Sequence, residues 1–278
     1  MMSVFEENCR LGIANGELVS SDSLPEVPAG ATLVYEVVRL IAGVPLFLED
    51  HVNRLNRSLS LAALPGGMSL HLLKDRFRAL AEACSITDRN IRLDVWRWEA
   101  DLIWTARFVE SHYPSPEAYR DGVAAGLLAW ERHNPEAKVW QANLKETVAD
   151  ICAQRDLHEL ILVDSQGRIS EGSRSNLFLT QGERLFTAPD SAVLGGITRL
   201  KLLELIEEMG IELVRSEIGV QELETFDGAF LTGTSIHLLP LSSIEAWRRQ
   251  SARQPLIEAL QKAFDEKVTA YIRAHSPR

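Results

Sequence analysis

Four segments of this chain combine a turn-forming residue with polar groups that could do chemistry: EDHVNRL at 49–55, NPEAKVWQAN at 134–143, EGSRSNLF at 171–178, and the pair GGITR at 195–199 with TGTS at 232–235. GGITR sets glycines and the Thr198 hydroxyl at the start of a predicted helix. Free backbone N–H groups and the helix dipole attract an anion such as phosphate there. The same residues also suit a plain glycine turn with Thr198 as N-cap. TGTS offers hydroxyls that would either cap a turn or hold phosphate, and Glu171 alone would fit a solvated loop carboxylate.

The elements that must carry these segments are legible from periodicity. Residues 32–41 are rich in β-branched and aromatic types and turn at Gly43 and Pro45 into PLFL, which predicts a hairpin. Helical spacing of apolar residues predicts one helix over Glu49–Leu64 and a second over Leu70–Cys84, beyond the break Pro65-Gly66-Gly67. IRLDVWRW and LIWTARFVE read as paired strands in which Trp96, Trp98 and Trp104 serve cross-strand packing. YPSPEAYRDG, residues 113–122, is the linker candidate. Beyond it come the strand GVAAGLLAW, a helix near 141–155, strands at ELILVD, SNLFLT and RLFT, a helix from about Thr198 to Gly210, strands IELVRS and GAFLTG, and a closing helix over Pro255–Ala274. Strands and helices mix without regular βαβ alternation, which predicts an α+β protein with antiparallel pairing in its first part.

Composition narrows the class. With 278 residues and 46% hydrophobic content the chain buries a sizeable core. Asp and Glu exceed Lys and Arg, 39 to 29, for a net charge of -10 with scattered basic residues, which argues against nucleic acid as a partner. Cys9, Cys84 and Cys152 are far apart and odd in number, so neither a disulfide framework nor a metal site is expected, and a reducing cytoplasm fits. No apolar run is long enough to span a bilayer, and the start MMSVFEENCR lacks a signal core, so a mature soluble chain is expected.

In their order, the segments resemble the class IV aminotransferases, which include branched-chain and D-amino-acid aminotransferases and aminodeoxychorismate lyase. The resemblance covers about Tyr35 to Pro240 and rests on Glu-Gly-Ser-x-Ser-Asn-Leu-Phe, Thr-x-Pro at 187–189, Gly-Ile-Thr-Arg at 196–199, and Gly-Thr-Ser with Pro240 after it. It implies a two-domain fold type IV pyridoxal-phosphate enzyme. The N-terminal domain, 1–113, would be a smaller α/β sandwich; a linker at 114–121 would lead to a larger, mixed β-barrel-like domain with helices at 122–278. The resemblance further implies a homodimer whose partner chain completes the substrate pocket.

On the same footing, Arg54 in His-x-x-Arg-Leu, Ile197, Thr198 and Thr234 would bind the cofactor phosphate, and Glu171 would keep the pyridine nitrogen protonated. The chemistry needs a lysine that forms a Schiff base with the cofactor and later shuttles a proton. Lys138 and Lys145 compete, and on one helix they would face nearly the same way. The family keeps its lysine a little over thirty residues before the glutamate; Lys138 lies 33 before Glu171 and Lys145 only 26, which favours Lys138. Lys138 is also expected where a strand end after Asn134-Pro135 meets a helix, a rigid place for a nucleophile, and Lys145 is expected on a solvated helix face. Near the ring hydroxyl, where relatives carry tyrosine or asparagine, this chain offers Gln141 or Asn143.

On the substrate side, Tyr35-Glu36-Val37-Val38-Arg39 looks like the segment that lines the aminotransferase site, and Arg92 falls where branched-chain enzymes bind a carboxylate, although Asn90 replaces their tyrosine. Ser235 joins Tyr35, Arg39 and Arg92 as a substrate-side residue. The arginine and histidine pair of D-amino-acid enzymes has no clear match in VWRWEADLIW, and His51 reads as a packing or hydrogen-bonding residue. The leading expectation is amino-group transfer between an α-amino acid, with branched-chain acids among the candidates, and a 2-oxo acid through a lysine aldimine. The alternatives are elimination of pyruvate from aminodeoxychorismate on the same cofactor, and a non-catalytic member of the fold.

Overall fold

The structure is a computed structural model that describes residues 9–64, 66–131 and 136–276. Pro65 of the expected helix break and Asn134-Pro135 before Lys138 lie outside the described residues. The chain divides into two compact units: residues 1–112 with 137–140 and 268–278, and residues 113–136 with 141–267.

The first unit is a six-stranded antiparallel sheet with two helices on one face. Its strands are β1 (Leu11–Ala14), β2 (Glu17–Ser20), β3 (Val34–Ile41), β4 (Val44–Pro45), β5 (Arg89–Trp98) and β6 (Asp101–Val109), in the order β2-β1-β6-β5-β3-β4. Helices α1 (Leu48–Leu61) and α2 (Leu70–Cys84) bury Leu55, Leu59, Leu73, Phe77 and Leu80 against Val38, Ile91 and Leu93. Ser69 caps α2 by accepting the Leu72 N–H. Strict alternation along β3 sends Val34, Glu36, Val38 and Leu40 to the helix-covered face and Tyr35, Val37 and Arg39 to the other. The short stretch Ala137–Trp140 is annealed to this sheet by a bridge between Val139 and Val34. Of the hairpin tryptophans, Trp96 and Trp104 are buried and Trp98 is exposed.

Cys9 and Cys84 stand with Cα atoms 5.2 Å apart and form a disulfide. This corrects the expectation of unbridged cysteines and removes the cysteine argument for a reducing compartment. The pairing escapes a sequence reading because 75 residues separate the partners and only the fold brings the end of α2 back to the start of β1.

The second unit begins with α3 (Pro116–Asp121), capped by Ser115, so the stretch 114–121 expected as a linker contains a helical turn. Its sheet comprises β7 (Val123–Ala129), β8 (Glu159–Val163), β9 (Arg168–Gly172), β10 (Asn176–Gln181), β11 (Arg184–Thr187), β12 (Leu213–Arg215), β13 (Ile218–Gly219), β14 (Gly228–Gly233), β15 (His237–Ile244) and β16 (Trp247–Arg248). The strand path runs β12-β11-β10-β14-β15-β7-β8-β9-β13, with β16 on β15. Pairs β7–β8, β7–β15 and β11–β12 are parallel and the others antiparallel. Its terminal strands, β12 and β13, are very short and do not pair with each other, so among the described residues the sheet is open, not closed into the barrel-like form expected. Helices α4 (Ala142–Arg155) and α5 (Ile197–Glu208) belong to this unit; α6 (Pro255–His275) is assigned to it through Lys267 and to the first unit from Val268. The α+β character with two sheets stands. No helix among the described residues is long and apolar enough to cross a membrane.

Candidate active site

In the first unit, Lys138 is partly buried and sits on no helix. Its backbone N–H donates to the Oγ of fully buried Ser58 on α1 (3.1 Å), and its carbonyl accepts the Tyr35 N–H (3.2 Å). Trp140 N–H donates to the Leu33 carbonyl (2.9 Å), so the stretch is pinned on both sides of the lysine. The Lys138 ammonium Nζ lies 4.7 Å from the centre of the Tyr35 ring. Lys145 stands instead on the exposed first turn of α4, in the other unit. The two lysines do not share a helix.

Tyr35 belongs to a polar and aromatic corner on the sheet face away from α1 and α2. Its ring meets that of Trp140 edge to face, centroids 5.3 Å apart. The Arg92 guanidinium lies 4.9 Å from the Tyr35 ring and 4.1 Å from the Trp140 ring. Arg92 Nε donates to both carboxylate oxygens of Asp94, at 2.8 and 3.0 Å. Arg39 is carried on the same face of β3 as Tyr35, opposite Asn90.

On the opposite face of β3, Glu36 is buried against α1. Arg54 Nε and Nη2 donate to its two oxygens at 2.7 and 2.5 Å, and His51 Nδ1 stands 2.7 Å from Oε2. Burial raises the pKa of a carboxylate, but the Arg54 charge and hydrogen bonds from Arg54 and His51 outweigh it and hold Glu36 well below the usual range. His51 is pushed down, burial outweighing its contacts with Glu36. Thus Glu36, expected to line the site with its neighbours, faces the helix and orients Arg54.

The second unit builds around Glu171, buried near the end of β9. One of its oxygens, Oε2, accepts from Asn176 Nδ2 (2.9 Å) and from the Leu194 N–H (3.0 Å), and Asn176 Nδ2 also donates to the Leu194 carbonyl (2.8 Å). Gly196, just beyond, admits no side chain, because a Cβ there would meet Asn176 Oδ1. The next residues, Ile197 and Thr198, open α5, so Gly196 takes the N-cap position and Thr198 lies inside the first turn. The first N–H groups of a helix have no intrahelical acceptor. Thr232 faces Asn176 across β10 and β14, and its buried Oγ1 lacks a hydrogen-bond partner among the described residues. Thr234 and Ser235 are half-buried in the turn from β14 to β15. Gln141 is the N-cap residue of α4, without a side-chain cap bond, and Asn143 is exposed.

Other motif residues hold the frame. Ser173 and Ser175 donate to buried Glu159 on β8 (2.5 and 3.0 Å), Thr187 donates to the Leu177 carbonyl (2.9 Å), and buried Arg199 pairs with Asp190 (2.7 Å). Sequence reasoning missed Asn176, Ser58 and Asp94 as supports. A usable signal existed for Glu36 alone: alternation places a carboxylate on an apolar face, and a helix bearing His51 and Arg54 one turn apart supplies its partners.

The first unit thus carries a lysine whose backbone is fixed on both sides, and the second a buried carboxylate followed by the start of α5. The chain belongs to the amino-transferase class IV family, whose model matches residues 33–244. It is 28% identical over 279 residues to the branched-chain-amino-acid aminotransferase of Escherichia coli, covering 90% of each chain. The solved structure of a branched-chain amino acid aminotransferase from that organism has a TM-score of 0.81 to this chain, with 25% identity over 94% of this chain and 95% of that one. The D-alanine aminotransferase of Bacillus licheniformis is 26% identical over 84% of this chain and 87% of its own length, and the aminodeoxychorismate lyase of Bacillus subtilis 24% identical over 84% and 85%.

Proposed function

We propose that this chain moves an amino group between an α-amino acid and a 2-oxo acid with pyridoxal 5'-phosphate, using Lys138 as the attachment and proton-carrying residue. The residues of the second unit fit that group: the buried Thr232 hydroxyl has no hydrogen-bond partner among the described residues, Gly196 leaves no side chain at the helix start, and the N–H groups of Ile197 and Thr198 with the Thr234 hydroxyl suit a dianionic phosphate, to which the family resemblance adds Arg54. When bound, pyridoxal phosphate supplies an electron sink for the charge left when the substrate α-carbon loses its proton.

Each residue has a task that follows from its surroundings. Glu171, held by Asn176 and the Leu194 N–H, is an oriented buried carboxylate that would hold the ring nitrogen of the bound cofactor in its protonated form. The backbone of Lys138 is fixed on both sides, and its amine would take the proton from the substrate α-carbon and deliver it to C4′ of the cofactor, which leaves the amino group on the cofactor. Tyr35 and Arg92 serve the substrate side and meet the carboxylate, and Arg39 lies on the same face of β3 as Tyr35; Ser235, in the other unit, is assigned to the substrate by the family resemblance. Gln141 at the α4 cap stands for the ring hydroxyl.

The observation that carries the reading is the pinned backbone of Lys138 beside Tyr35 and Arg92. A screen of amino donors with the purified holoenzyme tests it: an α-amino acid should convert the cofactor spectrum to that of the pyridoxamine form in one turnover. Pyruvate release from aminodeoxychorismate without such conversion by any donor would favour the lyase, the second reading supported by the Bacillus subtilis relative. A homodimer and a cytoplasmic location accompany the proposal on the strength of the family resemblance, and light scattering of the purified protein tests the first.

A further inference from the structure

We propose that Asp94 is a positioning residue that turns Arg92 into a one-carboxylate reader for the amino- or oxo-acid substrate. The inference rests on the aminotransferase reading above and adds to it a residue that no motif marked.

Asp94 lies directly opposite Tyr35 in the β3–β5 register, and Arg92 directly opposite Arg107 in the β5–β6 register. Two guanidinium groups facing each other across a strand pair repel. Buried Asp94 resolves this, accepting Arg92 Nε with both oxygens and Arg107 Nη1 at 3.3 Å. The Arg107 side chain is 42% exposed whereas that of Arg92 is 13% exposed, so Arg107 turns partly to solvent and Arg92 is the sheltered member.

A guanidinium has more than one bonding edge. Asp94 takes the Nε of Arg92, and the Tyr35 and Trp140 rings, 4.9 and 4.1 Å away, constrain its place. Among the described residues no acceptor meets Nη1 or Nη2 of Arg92. That pair is a fork matched to one carboxylate, and Lys138 Nζ packs on the same Tyr35 ring. Asp94 also offsets one of the two guanidinium charges it joins, so the Arg92–Asp94–Arg107 group keeps one net positive charge for a carboxylate.

The test compares an amino acid with its amide, which keeps the amine and loses the carboxylate charge. In the wild-type holoenzyme kcat/KM should favour the acid. Asp94→Asn should reduce that preference about tenfold, chiefly through KM for the acid, while kcat and the amide reaction change little. Asp94→Glu, which keeps a buried charge for both arginines, should show a smaller loss in the same direction and carries the test if Asp94→Asn does not fold. An unchanged preference in a folded variant, or an equal loss for acid and amide, overturns the role of Asp94 and leaves the aminotransferase reading standing. A wild-type holoenzyme that transfers no amino group from any donor overturns both.

Discussion

Arg54 clamps Glu36 through two nitrogens, Nε on one oxygen at 2.7 Å and Nη2 on the other at 2.5 Å, with the two side chains only 9% and 1% exposed. This bidentate pair ties α1 to β3 and fixes the guanidinium that we assign to the cofactor phosphate. Glu36→Ala leaves Arg54 buried without its counter-charge. Removing one partner of a buried pair costs about 3–5 kcal/mol, so urea unfolding should show a loss of that size, together with weaker retention of the cofactor on dialysis.

The same pair makes stability depend on pH. Glu36 has a folded pKa below its unfolded value, so its contribution is present above the usual carboxylate pKa of about 4.5 and is lost as pH falls. His51 also has a lowered folded pKa, so protonating it favours the unfolded chain below about 6.5. Both signs agree. The melting temperature should fall as pH drops from 7 to 4, and His51→Gln should flatten the part of that fall that begins below about pH 6.5.

Asn176 links the Glu171 carboxylate to the loop before α5. Asn176→Ala removes a hydrogen bond to a buried charged group, an effect of roughly 1.5–3 kcal/mol. Titration of the apoenzyme with pyridoxal phosphate should show at least tenfold weaker binding. Gly196→Ala should weaken binding in the same titration, because its Cβ meets Asn176 Oδ1.

Much of this arrangement was legible in the sequence. Helix α2 begins and ends as periodicity indicates, because Ser69 caps an amphipathic run, and β14 coincides with GAFLTG. The cofactor-side motifs around Glu171, Gly196 and Thr234 stand out in the sequence because glycines and hydroxyls at turns are locally distinctive. Their supports were not, since Asn176, Asp94 and Ser58 are ordinary polar residues whose roles appear only when other strands and helices arrive. The Cys9–Cys84 pairing and the open path of the larger sheet were hidden for the same reason: both depend on long-range registers that local pattern does not encode.

Lys145 supplies a control. It occupies an exposed helical position, so Lys145→Ala should leave kcat within about twofold and stability within about 0.5 kcal/mol of wild type. Steady-state rates and a denaturant curve on one preparation check both.

The central assignment is settled most directly by borohydride reduction of the holoenzyme, which makes the bond between cofactor and lysine permanent, followed by peptide mapping. The label should appear on the peptide containing Lys138 and be absent from a Lys138→Ala variant that still folds. Label on Lys145, or on no lysine at all, would contradict the account.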